Sequence, residues 1–139
     1  MREKILTKLS QAVTNYNELL SFSRILPKNL MDGAKGAIQD NIPDSGNEIL
    51  SLLNTVSGKK IFEPIKNIDE LINLFTNETE LLNDAFAKVP ENKNIIGATI
   101  GKNYSAKELM DYMIFGLNSH CDTINITLTA GKLTANHRK

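Results

Sequence analysis

The chain has 139 residues, and its 16 lysines and arginines balance its 16 aspartates and glutamates, so the formal net charge is zero. With 41 % hydrophobic and 23 % charged residues, it has the composition and length of one globular domain spanning residues 1–139. Balanced charge argues against a binder of nucleic acid or of an anionic membrane surface. No apolar run approaches the roughly 18–20 residues that span a bilayer, and the one cysteine, Cys121, cannot form an internal disulfide. We therefore expect a cytoplasmic domain.

Apolar residues recur at three- and four-residue steps in four segments, which is the period of an amphipathic helix. The first predicted helix covers about residues 3–26 and is ended by Pro27. Residues 28–44 contain two glycines and a proline among weakly apolar positions. We expect a loop there, with at most a short helical piece around residues 30–38.

Two further segments begin with the spacing of a capping box, in which a serine is followed three residues later by a glutamate. Ser45 and Glu48 form the first box and open the second predicted helix, which ends near Gly58. Ser105 and Glu108 form the second box and open the last helix.

The third predicted helix starts at its cap Asn67 and runs to about Val89. The last helix is expected to end near Gly131, followed by a flexible tail at residues 133–139. Its stretch 123–129 is rich in β-branched residues and would also suit a strand, but one strand without a partner leaves its backbone groups unpaired, so helix is favoured. Four helices joined by moderate loops indicate an all-α four-helix bundle.

Side chains that could carry catalysis are few. The only histidines are His120 and His137, and the second lies in the polar tail. His120 and Cys121 are adjacent on a helix and point about 100° apart, which opposes both a shared metal and a catalytic pair. The glycine-containing segment 97–102 lacks the spacing of a phosphate-binding loop. We expect His120 to be a partly buried structural histidine and Cys121 a small core residue.

The last helix nevertheless resembles the C-terminal helix of the DinB/YfiT-like family, from Glu108 through the run Gly116-Leu117-Asn118-Ser119-His120 to the closing Gly131-Lys132-Leu133. The segment 45–56 is similar to the second helix of that family, which has the pattern Ser, two residues, Glu-Ile-Leu, one residue, His. The segment 68–89 matches the third helix in length and apolar stripe only. The resemblance covers roughly residues 40–133.

This resemblance implies a four-helix bundle with up-down-down-up topology. In many members it also implies a divalent metal held by three histidines, one on the second helix and two on the fourth. Here only His120 matches that triad, because the other two positions fall on Leu52 and Gly116. Neither leucine nor glycine offers a metal ligand, so the metal site implied by the resemblance is degenerate.

We therefore interpret the chain as a DinB-like bundle that has lost its divalent-metal site and binds a small molecule or a protein, with no cofactor. The pocket candidates are Leu52, Gly116 and His120, since a glycine in place of a ligand leaves room between helices. The alternative is an enzyme, a metal-dependent thiol S-transferase in which His120 holds zinc, nickel or manganese together with oxygen ligands. Those oxygen ligands would come from Asn54, Asp122 or Glu48.

Two other classes stay open. One is a structural partner, such as a homodimer that buries Phe22, Ile25 and Met31. The other is a phosphotransfer bundle that uses His120, although no basic pair flanks that histidine to hold a phosphate.

Overall fold

The structure, a computed structural model, describes residues 1–91, 94–95 and 104–137, and in these residues it is helical apart from turns and one pair of two-residue strands. The all-α class is therefore confirmed. The helices are α1 (Arg2–Leu19), α2 (Lys28–Gly36), α3 (Ile42–Ser57), α4 (Ile68–Asn77), α5 (Thr79–Ala87) and α6 (Ala106–His137). The strands β1 (Asn94–Ile95) and β2 (Tyr104–Ser105) pair antiparallel, with Asn94 opposite Ser105.

The first helix ends earlier than its apolar pattern predicts. After α1 the chain tightens into a 3₁₀ turn at Leu20–Phe22, and the amides of Ile25 and Leu26 both donate to the Phe22 carbonyl, at 3.1 and 3.2 Å. The residue before a proline avoids helical geometry. The irregular segment before Pro27 therefore replaces about the last two turns of the predicted helix.

The loop predicted at residues 28–44 is wrong, because that segment is helical. A π-helical turn, Ala37–Asn41, joins α2 to α3 without a break. Buried Ala34 and Ile38 pack this segment against the core, and such packing outweighs the low helix propensity of glycine. Pro43, which cannot donate to an α-helical ladder, directly follows the irregular π turn, where its missing amide costs least.

Continuity of this helix also overturns the first capping box. Ser45 lies inside α3 and is 8 % exposed, and no side-chain cap is present at the start of α3. The predicted end of the same helix is confirmed, since Gly58 adopts the left-handed conformation with φ of 73°.

The Asn67 cap is confirmed, since its Oδ1 accepts from the Glu70 amide at 2.9 Å. The single helix predicted from residue 67 to residue 89 is instead two. Glu78 leaves helical geometry, with φ −102° and ψ 48°, and separates α4 from α5. The change of direction keeps Phe75 in edge-on contact with Phe86, with ring centroids 6.4 Å apart.

The second capping box is confirmed at the start of α6. The Glu108 amide donates to Ser105 Oγ at 3.1 Å, and the Ser105 hydroxyl donates to the Glu108 carboxylate at 3.1 Å. The helix continues past Gly131 to His137, so most of the expected tail is helical. The stretch 123–129 is helical as predicted, and the Thr127 hydroxyl donates to the Thr123 carbonyl at 2.9 Å within it.

The two terminal helices, α1 and α6, run side by side in the same direction. Lys8 pairs with Asp122 at 2.9 Å and Glu18 pairs with Lys132 at 3.3 Å. Because residue number rises in the same direction along both helices, the two helices are parallel. The core lies where α1, α3, α4 and α6 meet, and α3 contacts both α4 and α6. Its largest fully buried side chains are Phe75, Ile5, Leu9, Leu19, Ile42, Ile49, Leu50, Leu53, Leu71, Leu82, Met110 and Leu117.

One buried arginine ties the start of α1 to the end of α4. Arg2 is 8 % exposed, and its Nη1 donates to the Phe75 carbonyl at 2.9 Å. The start of α1 therefore lies beside the end of α4.

Candidate functional site

The three residues predicted to line a pocket lie in different environments. Leu52 is 6 % exposed and belongs to the apolar core. Gly116 and His120 are half-buried on α6, and a Cβ added at Gly116 would meet no atom within 4 Å. The best-formed grooves of the described residues are lined by other side chains.

These positions do not fit a divalent metal. Leu52 offers only a buried hydrocarbon side chain and Gly116 offers none, which leaves His120 as a single ligand. Among residues 1–91, 94–95 and 104–137, no three histidine, cysteine, aspartate or glutamate side chains come together as a metal-binding group. One or two ligands are too few for a zinc site, which needs three or four.

The oxygen ligands of the alternative metal site are engaged elsewhere or exposed. Asn54 accepts hydrogen bonds from the amides of Ile61 and Phe62, at 2.8 and 2.9 Å. Asp122 is paired with Lys8, and Glu48 is exposed on α3. A metal bound through Asn54 or Asp122 would have to displace these contacts.

Cys121 is a core residue, as predicted. It is 5 % exposed and lies in the hydrophobic cluster. Burial raises the pKa of the Cys121 thiol to about 11, while Lys8 lowers it and Asp122 raises it by smaller amounts. The thiol is therefore protonated at neutral pH and is a poor nucleophile.

The surface predicted to bury a homodimer is already partly covered. Phe22, Ile25 and Met31 are half-buried rather than exposed, and Phe22 and Met31 pack against the core. A Cβ added at Gly131 would lie 3.0 Å from Phe22, which shows how closely that ring approaches α6.

A groove between α1 and α6 is the feature that the sequence did not reveal. Its volume is about 740 Å³. The exposed Met1, the half-buried Ile114 and Ile5, which is 2 % exposed, provide its apolar surface. Polar and charged groups line the rest, namely Glu3, Lys4, Thr7, Lys8, Gln11, Asp111 and Asn118. The groove exists because α1 and α6 are parallel neighbours, and the apolar period of each helix alone does not specify that pairing.

Two other candidates from the sequence can be placed. His137 is exposed in the last turn of α6. The segment 97–102 lies outside the described residues.

Comparison of the chain with known protein families, with curated proteins and with solved structures finds no match. The resemblance to the DinB/YfiT-like family therefore stays a prediction. None of the helices in the described ranges combines the length and the apolar character needed to cross a membrane.

Proposed function

We propose that the chain is a DinB-like four-helix bundle of up-down-down-up topology that binds a small molecule or a partner protein in the cytoplasm and holds no divalent metal. In this bundle α1 is the first helix, α2 and α3 together are the second, α4 and α5 are the third, and α6 is the fourth.

The directions of the helices support the topology. The first and fourth helices are parallel, as the pairs Lys8–Asp122 and Glu18–Lys132 require. Between the second and third helices, the chain doubles back along α3, where Asn54 binds Phe62 and Asn47 binds Ile65. This return segment, residues 58–67, lets two consecutive helices run in the same direction.

The groove between α1 and α6 carries the binding function. It joins an apolar surface at Ile5 and Ile114 with amide groups at Gln11 and Asn118, the combination that a small organic ligand needs for both burial and orientation. Its charges are mixed, since Glu3, Lys4 and Lys8 of α1 and Asp111 of α6 all line it. A neutral or zwitterionic ligand suits this lining better than a strongly charged one.

Metal analysis tests the first half of the proposal. Elemental analysis of the purified protein is expected to find no stoichiometric zinc, nickel or manganese. Addition of these ions is expected to leave the melting temperature of the wild type unchanged, and that of His120→Ala unchanged as well. Stoichiometric metal, or a rise in melting temperature that His120→Ala abolishes, would overturn it and favour the transferase.

A fragment screen by protein-observed NMR tests the second half. Hits are expected to shift resonances of Ile5, Ile114 and Asn118. Ile114→Trp, which fills the groove, should abolish these shifts, while Leu81→Trp, a matched change at an exposed site on α5, should leave them unchanged. Hits that persist in Ile114→Trp would show that the groove is not the ligand site.

A further inference from the structure

The outward side of α6 is apolar over most of its length. Its buried side carries the core residues Met110, Leu117, Cys121, Ile124 and Leu128. Four large apolar residues lie on the opposite side, and they remain 57–75 % exposed. They are Tyr112, Phe115, Ile126 and Leu133, and we call them the outer stripe.

The geometry of the helix makes the outer stripe continuous. At about 100° per residue its four members fall within about 60° of one another, and 21 residues span about 32 Å. The positions between them on the same side are the small, uncharged Ser119, Thr123 and Ala130 and, at the edge toward α1, the charged Asp122.

Charges beside the outer stripe already have partners. On the flank that faces α1, Asp122 pairs with Lys8 and Lys132 pairs with Glu18. Near the start of the helix Lys107 and Asp111 pair with each other at 3.7 Å. When the stripe is covered, each of these charges therefore keeps its partner. The main cost of covering such a surface, an unpaired buried charge, is thereby avoided.

We propose that the outer stripe is the interface of a homodimer in which α6 packs antiparallel against α6 of a second copy. With the two-fold axis beside Asp122 and Thr123, Phe115 packs on Ala130 of the partner subunit, and Ile126 packs on Ser119 of the partner subunit. Near the axis large side chains then meet small ones, and Tyr112 meets Leu133 of the partner subunit at each end. The two Asp122 carboxylates lie beside the axis, and each is paired with Lys8 of its own chain.

Charge at the two ends of α6 selects the antiparallel orientation. Glu108 is exposed at the start of the helix, on the same side as the stripe. His137 is exposed at its end. An antiparallel pair places Glu108 of one helix beside His137 of the other, whereas a parallel pair would place the two Glu108 carboxylates together.

The length of the contact suits a specific but modest interface. From residue 108 to residue 137 the helix spans about 44 Å and is about 11 Å wide, so each copy offers roughly 500 Å² in projection. The total of roughly 1,000 Å² lies at the lower bound for a biological interface, where micromolar dissociation constants are common. The proposal is independent of the ligand groove and of the family resemblance.

Sedimentation of the full chain tests for the dimer. Over about 1 to 500 µM protein, the mass is expected to rise from the monomer value of 15.4 kDa to twice that value. The double variant Phe115→Glu/Ile126→Glu should weaken the dimer at least about 100-fold. The control Leu20→Glu/Leu81→Glu, which places the same two charges at exposed leucines outside α6, should leave it unchanged. Circular dichroism checks that each variant remains helical.

Cysteine cross-linking tests the orientation, because the native Cys121 is buried and unreactive. Under oxidation the double variant Ser119→Cys/Ile126→Cys is expected to form a covalent dimer. Neither single variant should do so, since the two copies of either position lie about 10 Å apart along the axis. The two cysteines of one chain are separated by the same distance and cannot pair internally.

Each other outcome overturns the proposal. A chain that stays monomeric at the highest concentration does not use the stripe for self-association, whatever else covers it. A dimer that survives Phe115→Glu/Ile126→Glu in a folded variant uses another surface. Covalent dimers of the single cysteine variants would demonstrate a parallel pair, and no cross-link in the double variant would exclude the stated register.

Discussion

Asn54 on α3 binds both backbone groups of Phe62. Its Nδ2 donates to the Phe62 carbonyl at 2.8 Å, and its Oδ1 accepts from the Phe62 amide at 2.9 Å and from the Ile61 amide at 2.8 Å. Phe62 is 3 % exposed, so the contact seats an aromatic ring in the core as well as fixing the backbone. Asn47 makes the same two-way contact with Ile65, at 2.9 and 2.8 Å. These two asparagines hold the return segment between α3 and α4 against α3.

Asn54→Ala should therefore destabilise the fold markedly. The change removes three hydrogen bonds and leaves backbone groups of a half-buried segment without partners, which is worth about 2–3 kcal/mol in the free energy of unfolding. Urea denaturation followed by circular dichroism measures this loss. Asn17→Ala, at an exposed position of α1, is the matched control and should change stability by less than about 0.5 kcal/mol. Equal effects of the two changes would contradict the structural role of Asn54.

The capping box at the start of α6 gives a smaller, local prediction. Ser105→Ala removes the oxygen that accepts from the Glu108 amide, and we expect a loss of about 1 kcal/mol. Ser51→Ala, in the interior of α3 and exposed, should be neutral because alanine is the better helix former. Thermal melting of both variants checks the difference, and a neutral Ser105→Ala would argue against the cap.

Signals that act over three or four residues were predictable from the sequence. The cap at Asn67, the box of Ser105 with Glu108 and the left-handed end at Gly58 all depend on neighbours within one helical turn, and all are confirmed. The box at Ser45 is wrong for an instructive reason. The same serine-glutamate spacing occurs inside a helix when the preceding residues stay helical. The four-residue pattern does not indicate whether the preceding residues are helical.

Features that depend on distant partners could not be predicted. Burial of Ala34 and Ile38 against the other helices keeps the segment 28–44 helical in spite of its glycines and of Pro43. Asn54 was considered as a metal ligand, whereas its partners are backbone groups of the return segment. The groove between α1 and α6 likewise requires knowledge of which helices are neighbours. The family resemblance supplies a topology, and it remains a prediction.

Close approach of Phe22, in the 3₁₀ turn after α1, to α6 makes Gly131 sensitive to substitution. In Gly131→Ala the new Cβ would lie 3.0 Å from Cβ and Cγ of Phe22, so this ring must give by a few tenths of an ångström. The contact offsets the gain in helix propensity of about 1 kcal/mol, and Gly131→Ala should therefore be less stable than an alanine placed at an open glycine of another helix. Gly33→Ala is the control, because a Cβ there meets nothing within 4 Å and the residue is helical and exposed. That change should stabilise the protein by about 0.5–1 kcal/mol. A Gly131→Ala protein that gains as much stability as Gly33→Ala would contradict the close approach of Phe22 to Gly131.

Burial of Cys121 predicts slow alkylation of its thiol and a lower free energy of unfolding at alkaline pH. Because burial raises the pKa of the thiol from 9.0 to about 11, its thiolate fraction at pH 8 is about 100-fold below that of the unfolded chain, and alkylation by iodoacetamide should be slower by at least that factor. The folded protein also keeps this proton between pH 9 and pH 11 while the unfolded chain loses it. The free energy of unfolding should therefore fall as the pH rises through that window. Cys121→Ser has no titrating thiol, and its stability should lack this contribution. Alkylation at pH 8 that is as fast in buffer as in urea would show that the thiol is accessible in the native state.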